Sequence, residues 1–465
     1  MTVGPLARLD WLLDGALLAP IRRSLSAFVV AAGPWMVAVG AIAFASWTVE
    51  PVIGPQAAED FRLAVIYAFA LAPLASAPIS TVAARRISAG LVPQAQVAGL
   101  FIVAAGLSGL AAQALALLVA LVLGLRDAEI AVALVFLTGA AAVMWTGFAM
   151  MTALRQFRFL IASFSIGIAL AILLFVGLRH SSLTVAALIW FFTFGVTACA
   201  GLIGLRLQVW QARSDFGLDG AARMLRDESG RSFPLAVGAV LGILGVWIDK
   251  WVFWFSPSGL VSTAGFANFP DYDSAMFLAH MSVIPSLAAL MAFHDGDLRQ
   301  AMLRFRAVLA GGRTLTAVRQ AVAQVAFVVR GGLFMILLTQ LAITSALILF
   351  APVLAQLLGM RLDQYLTLRT GLAGAFMHVA FLAANGILLL CNRQWAFLGL
   401  QALFLGLNLS LSLVFILGYG TTANAFLGSS AICAVIAMAS AFAAVQKLDY
   451  LHLLAENDGL YHPAR

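Results

Sequence analysis

Long apolar runs separated by short polar segments dominate the chain, and their lengths predict its elements. About 20 consecutive apolar residues are needed for a helix to cross a bilayer. Runs of that length fall at roughly 26–49, 61–82, 97–123, 130–153, 159–178, 183–205, 233–254, 272–293, 331–354, 366–390, 395–417 and 424–445. Nothing alternates polar and apolar over ten-residue units, which rejects a transmembrane β-barrel. The expected fold class is therefore an all-α integral membrane protein of about twelve transmembrane helices. The polar interruptions divide it into a cytoplasmic N-terminal segment (1–25), a six-helix bundle (26–205), a cytoplasmic linker (206–232), a second six-helix bundle (233–445) that carries a cytoplasmic loop (294–330), and a cytoplasmic tail (446–465). Within 5–23, Leu6, Leu9, Leu13 and Leu17 recur among Arg8, Asp10 and Asp14, the pattern of a short helix lying in the interface or of a partly ordered tail. An even number of spans in each half makes the halves parallel repeats. A faint echo agrees: Leu71-Ala72 precedes Pro78 as Leu278-Ala279 precedes Pro285, each with the spacing L-A-x5-P.

Composition gives the same class. Of 465 residues, 63% are hydrophobic and 10% charged, against about 25% charged in ordinary soluble domains. Charge then sets the orientation, because Lys and Arg accumulate in cytoplasmic segments. With the N-terminus inside, inner segments hold 21 of the 27 basic residues, the outer side receives Arg62, Arg126, Arg179, Arg361 and Arg369, and Lys250 lies within a span. This asymmetry accounts for the net charge of +7, so no nucleic-acid partner is expected. Cys199, Cys391 and Cys433 show no CxxC spacing and no histidine at ligand distance, which excludes a disulfide framework or zinc site. The run 26–49 is too long for a signal-peptide core, although Ala43-Phe44-Ala45 resembles a cleavage triplet.

Ionisable residues within spans are the first functional candidates, because burying them is costly. The first six expected spans hold none. The seventh holds Trp247-Ile248-Asp249-Lys250-Trp251, followed by Trp254. At 100° per residue, Trp247, Lys250, Trp251 and Trp254 share one face and Asp249 points away from it. Neighbours at i and i+1 do not face each other on a helix, so each charge is expected to find a partner elsewhere: Lys250 with Asp273, and Asp249 with Arg369. Trp247, Trp251 and Trp254 then offer flat faces along a substrate path. The competing reading has Lys250 reaching for the interface, with the tryptophans in an aromatic belt. His280, Gln340, His378 and Asn385 read as interhelical hydrogen-bond partners. Pro34, Pro73, Pro78 and Pro285 mark helix bends. Walker A loops, metal-ligand clusters and catalytic triads are all absent, and no loop exceeds 37 residues. The expectation is a protein that is not an enzyme and needs no cofactor or metal.

Several of these segments carry a resemblance. Gly33-Pro34-Trp35, the block from Gly245 to Trp251 with Ser256-Pro257, Tyr272-Asp273-x2-Met276-Phe277-Leu278-Ala279, Val308-x2-Gly311-Gly312, Asn392-Arg393-Gln394 and Leu448-x-Tyr450-Leu451 together resemble the Pel exopolysaccharide transporter family, PelG. The FELRK-type opening associated with that family is missing. The resemblance implies a MATE-like transporter with two six-helix bundles in a V around a cavity. It implies passage of an amino-sugar exopolysaccharide across the bacterial inner membrane for a biofilm matrix. The polymer would come from a cytoplasmic glycosyltransferase, PelF, with the membrane proteins PelD and PelE as partners. Three alternatives stand beside this one: a cation-coupled small-molecule antiporter, a lipid-linked oligosaccharide flippase, and a membrane scaffold for a synthase.

Overall fold

The computed structural model describes residues 50–93, 96–178, 183–209, 218–418 and 423–451. The expected first span, the interfacial segment 5–23, Pro34 and the tail beyond 451 lie outside the described residues. Among those described, eleven helices are long and apolar enough to cross a membrane. Three match the apolar runs at both ends: Val97–Leu123, Phe233–Trp254 and, within one residue, Asn424–Gln446. By their contacts the helices form two compact units.

The first unit comprises residues 33–273 and 401–421. It holds α1 (Pro55–Ser88), α2 (Val97–Leu123), α3 (Ala128–Ala153), α4 (Phe157–Leu178), α5 (Val185–Val209), α6 (Leu218–Arg231) and α7 (Phe233–Trp254). It also takes the part of a later helix, Gln394–Gly418, that follows Gln401. Thus Phe233–Trp254, assigned by chain order to the second bundle, groups with the earlier helices and with the part of the later helix that joins them. Small residues bring these helices close. A Cβ on Gly167 would collide with the Gly195 carbonyl, and one on Gly195 with the Gly167 carbonyl, so α4 and α5 touch through backbone. The Asp127 carboxylate starts α3 by accepting the Glu129 and Ile130 amides at 2.8 and 3.3 Å.

After α7 the chain makes a small antiparallel hairpin, β1 (Leu260–Val261) and β2 (Ala267–Asn268), pairing Leu260 with Asn268 and Val261 with Ala267. Its turn places Gly265 at φ 104°, a left-handed conformation that a side chain would strain.

The second unit comprises residues 274–400 and 422 onward. α8 (Pro270–Met281), whose first residues belong to the first unit, is followed by a break at 282–283, and Pro285 sits in the first turn of α9 (Ile284–Phe293). A π-turn over His294–Leu298 leads into α10 (Arg299–Ala310). α11 (Leu315–Leu357), α12 (Leu362–Leu390), α13 (Gln394–Gly418) and α14 (Asn424–Gln446) complete it. Ala275, Ala279, Ala351, Leu368 and Leu372 form a core cluster there.

Both segments expected to be connections are mainly helical. The segment 206–232 contains α6, whose Ala221, Leu225 and Glu228 are buried while Arg223, Arg226 and Arg231 are exposed. In 294–330, α10 buries Ala301, Met302 and Phe305 on one face, and α11 begins sixteen residues before the expected span. The amphipathic spacing i, i+1, i+4 is helical although the segments are not apolar throughout. At 43 residues, α11 is roughly 65 Å long at 1.5 Å per residue, about twice the hydrocarbon thickness. Its first turns, with Arg319 and Arg330, are its polar end. α1 runs unbroken through Pro73 and Pro78.

Candidate functional site

The last turns of α7, the hairpin and the start of α8 converge with α1 inside the first unit. Asp249 is 0% exposed and Lys250 8%. Asp249 Oδ1 accepts the Lys250 amide at 2.9 Å and the Lys250 ammonium at 3.3 Å. The ammonium also donates to the Val246 carbonyl at 3.0 Å, one turn back toward the start of its helix. This geometry corrects the expectation that adjacent helical residues cannot satisfy one another. The four-carbon stem of lysine curls back along the helix, so its nitrogen reaches a carboxylate that its Cβ does not face. Lys250 Nζ lies 5.7 Å from the Trp247 ring centroid, within cation–π range.

The second oxygen of Asp249 is taken as well: the Tyr272 hydroxyl donates to Oδ2 at 2.7 Å. Tyr272 is fully buried, with its ring 4.3 Å from that of Phe253. The partner expected for Asp249, Arg369, instead lies over the Tyr365 ring at 5.7 Å, exposed, with the Tyr365 hydroxyl at 3.5 Å. The expected Lys250–Asp273 pair is likewise not formed. Asp273 Oδ2 accepts the Trp254 indole N–H at 2.7 Å and the Phe269 amide at 3.2 Å. Its Oδ1 is buried without a hydrogen bond among the described residues.

Aromatic rings surround the charged group. Trp247 and Trp254 meet edge to face at 6.3 Å, and Trp254 packs on Tyr67 of α1 at 4.9 Å. Tyr67 donates to the Ala267 carbonyl of the hairpin at 2.8 Å and contacts Phe266 at 5.2 Å. Trp247 and Trp251 are half-buried, whereas Trp254 is buried. The backbone beneath this group is fixed by α13. Asn408 donates to the Gly245 carbonyl at 2.8 Å, and a Cβ on Gly245 would come within 2.5 Å of the Phe404 ring.

The structure adds residues that the apolar pattern passed over. Tyr67 and Tyr272 complete the aromatic and hydrogen-bonded frame. Asp60, 4% exposed, accepts the Ala264 amide of the hairpin at 3.1 Å; it lies inside α1, which begins six residues before the expected span. At the other end of α1, Glu228 of α6 is buried between Arg85 (3.9 Å) and Arg86 (3.7 Å), and Ser232 donates to it at 2.9 Å. Neither was visible as a pair, because each partner stood in a separate polar segment. In the second unit, Gln340 donates to Ser282 at 3.4 Å and Thr344 at 3.2 Å, and His280 and His378 pack against Phe426 at 5.1 and 5.5 Å. No group of three or more metal-ligating side chains occurs among the described residues.

Long apolar helices that enclose compensated ionic groups, one of them beside a cluster of aromatic rings, define a polytopic membrane protein. Solved structures agree. An outward-facing multidrug resistance MATE family transporter of the MOP superfamily superposes with a TM-score of 0.63 at 16% identity, covering 92% of this chain and 96% of that one. A MATE point mutant gives a TM-score of 0.66 at 15% identity, with 95% and 98% covered. A MOP superfamily transporter from Pyrococcus furiosus, with a binding pocket of reversed polarity, gives 0.62 at 14% identity, with 92% and 97% covered. At these identities the likeness is one of fold. No curated protein matches the sequence. The family is shown by a model that matches residues 12–452: the chain belongs to the PelG family, exopolysaccharide exporter (EPS-E). Fold and family are those of a multi-pass membrane transporter, not of an enzyme.

Proposed function

We propose that this protein carries a nascent amino-sugar exopolysaccharide of the Pel type from a cytoplasmic glycosyltransferase across the bacterial inner membrane to the periplasm. One observation carries the reading: the buried Asp249–Lys250–Tyr272 group is internally neutral and stands beside the half-buried ring of Trp247. Flat apolar faces next to fixed hydrogen-bonding groups suit the two sides of a sugar ring. A lipid-linked oligosaccharide flippase would need free cations for its diphosphate, and Lys250 is already compensated. A cation-coupled antiporter needs a carboxylate free to bind its ion, and both oxygens of Asp249 are engaged. Asp273, with its bare Oδ1, is the observation in favour of that second reading.

The orientation proposed is N-in and C-in. Its support is that segments assigned by charge to one side come together. Arg85 and Arg86 meet α6 at one end of α1, and Asp60 meets the hairpin at the other. The arginines at 299, 304, 306, 313, 319 and 330 are all exposed on α10, its turn and the start of α11, with no acidic residue between 298 and 361. This basic surface suits docking of the synthase, PelF, with PelD and PelE as further partners. Deleting the protein while the glycosyltransferase remains active tests the function. Polymer trapped in the cytoplasm is the expected result, and undiminished export contradicts it.

A further inference from the structure

An open cavity in the first unit lies at the end where α1 begins, α2 ends and α3 begins. It measures about 440 Å³ and is lined by Gln56, Ala57, Asp60, Arg126, Asp127 and Thr263, with aliphatic neighbours. That volume falls within the roughly 300–1,000 Å³ of small-ligand sites. Among the described residues no aromatic side chain lines it, which favours hydrogen bonds and charge over stacking.

Asp60 gives the cavity its chemistry. The residue is 4% exposed, and one of its oxygens accepts the Ala264 amide at 3.1 Å. The other oxygen has no hydrogen-bond or ion-pair partner among the described residues, and the side chain borders the cavity. A carboxylate oxygen that opens on the cavity accepts hydrogen bonds and carries charge, and so favours a cationic or hydroxyl-bearing ligand. Around it Gln56 and Thr263 both donate and accept, and the Arg126 guanidinium donates only. Asp127 adds a second carboxylate, part of whose capacity caps α3.

Position adds the second half of the argument. Asp60 and Tyr67 are seven residues apart on α1, hence on nearly the same face and roughly 10 Å apart along it. Both are tied to the same hairpin, Asp60 through Ala264 and Tyr67 through Ala267. The polar cavity and the aromatic group around Trp254 thus lie along one helix and share one hairpin.

Resting on the export function above, we infer that this cavity is a second glycan station, which takes one or two units of the amino-sugar polymer after the aromatic group and pairs Asp60 with an amine. The test uses the full-length purified protein and two probes, a glucosamine tetramer and its fully N-acetylated counterpart. Asp60→Asn keeps an acceptor for the Ala264 amide and removes the charge. Ala57→Trp fills the cavity from a half-buried position and leaves the Asp60 carboxylate charged. Asp60→Asn is expected to weaken the cationic tetramer about tenfold and to leave the acetylated one unchanged, while Ala57→Trp weakens both. Equal affinities for both probes in wild type and both variants overturn the station. In cells, both variants are expected to reduce export at normal membrane abundance. Wild-type export from both variants, where deletion of the whole protein stops export, overturns the station and leaves the export function standing. Export that continues after deletion removes the function, and the station with it.

Discussion

Each unit buries a polar cluster, and the two are built differently. In the first unit Asp249 has both oxygens engaged, by Lys250 and Tyr272, and Lys250 has a carbonyl as well as a carboxylate. In the second, the neutral amide of Gln340 donates to Ser282 and Thr344 while its Oε1 accepts nothing among the described residues. The difference follows from desolvation. A buried charge left uncompensated costs several kcal/mol, whereas an amide short of one bond costs about 1–3 kcal/mol. The ionic cluster must be complete, and the neutral one tolerates a gap. Asp249, Lys250 and Tyr272 therefore hold one another in place beside the Trp247 ring.

The largest effect should come from breaking the ionic cluster. Asp249→Ala strands the Lys250 ammonium and should destabilise the fold by about 3–5 kcal/mol. Protein recovered from the membrane should fall sharply. Asp249→Ala with Lys250→Ala removes both charges and should restore much of the abundance without restoring export. If the double variant is no more abundant than the single one, the pair is not what holds this region together.

Next is the backbone beneath it. Gly245→Ala places a methyl against Phe404, an overpacking that should cost about 1–3 kcal/mol. Phe404→Leu in the same background should recover part of the loss of thermal stability in detergent. Absence of any loss in Gly245→Ala would mean that α7 and α13 are not in close contact there.

Smallest should be the neutral cluster. Gln340→Leu removes an amide whose acceptor is already unpartnered, so the change in melting temperature should correspond to about 1 kcal/mol or less. A loss as large as that of Asp249→Ala would erase the distinction between the two clusters.

The sequence made the frame legible and the contacts only partly so. Run length placed Val97–Leu123 and Phe233–Trp254 to the residue, because an unbroken apolar stretch has few alternatives in a bilayer. It stopped short for α11, whose first turns are amphipathic rather than apolar. The WIDKW block was recognisable as unusual, yet its pairing was not, since Cβ directions ignore how far a lysine stem can bend. Asp60 and Glu228 stood at or outside expected span ends, where charges are ordinary. Their burial depends on a hairpin of two-residue strands and on a short amphipathic helix, which no periodicity announces.

The account rests on the aromatic face beside Lys250 as the place where glycan is held. Trp247 is half-buried and meets Trp254 edge to face, so its removal should be tolerated by the fold. An aromatic contact of about 0.5–1.5 kcal/mol corresponds to a loss of up to about tenfold. Measuring exported polymer per unit of membrane protein in Trp247→Ala is the direct test. Normal abundance, a several-fold to tenfold fall in export and polymer accumulating in the cytoplasm are predicted. Normal export at normal abundance would contradict the account.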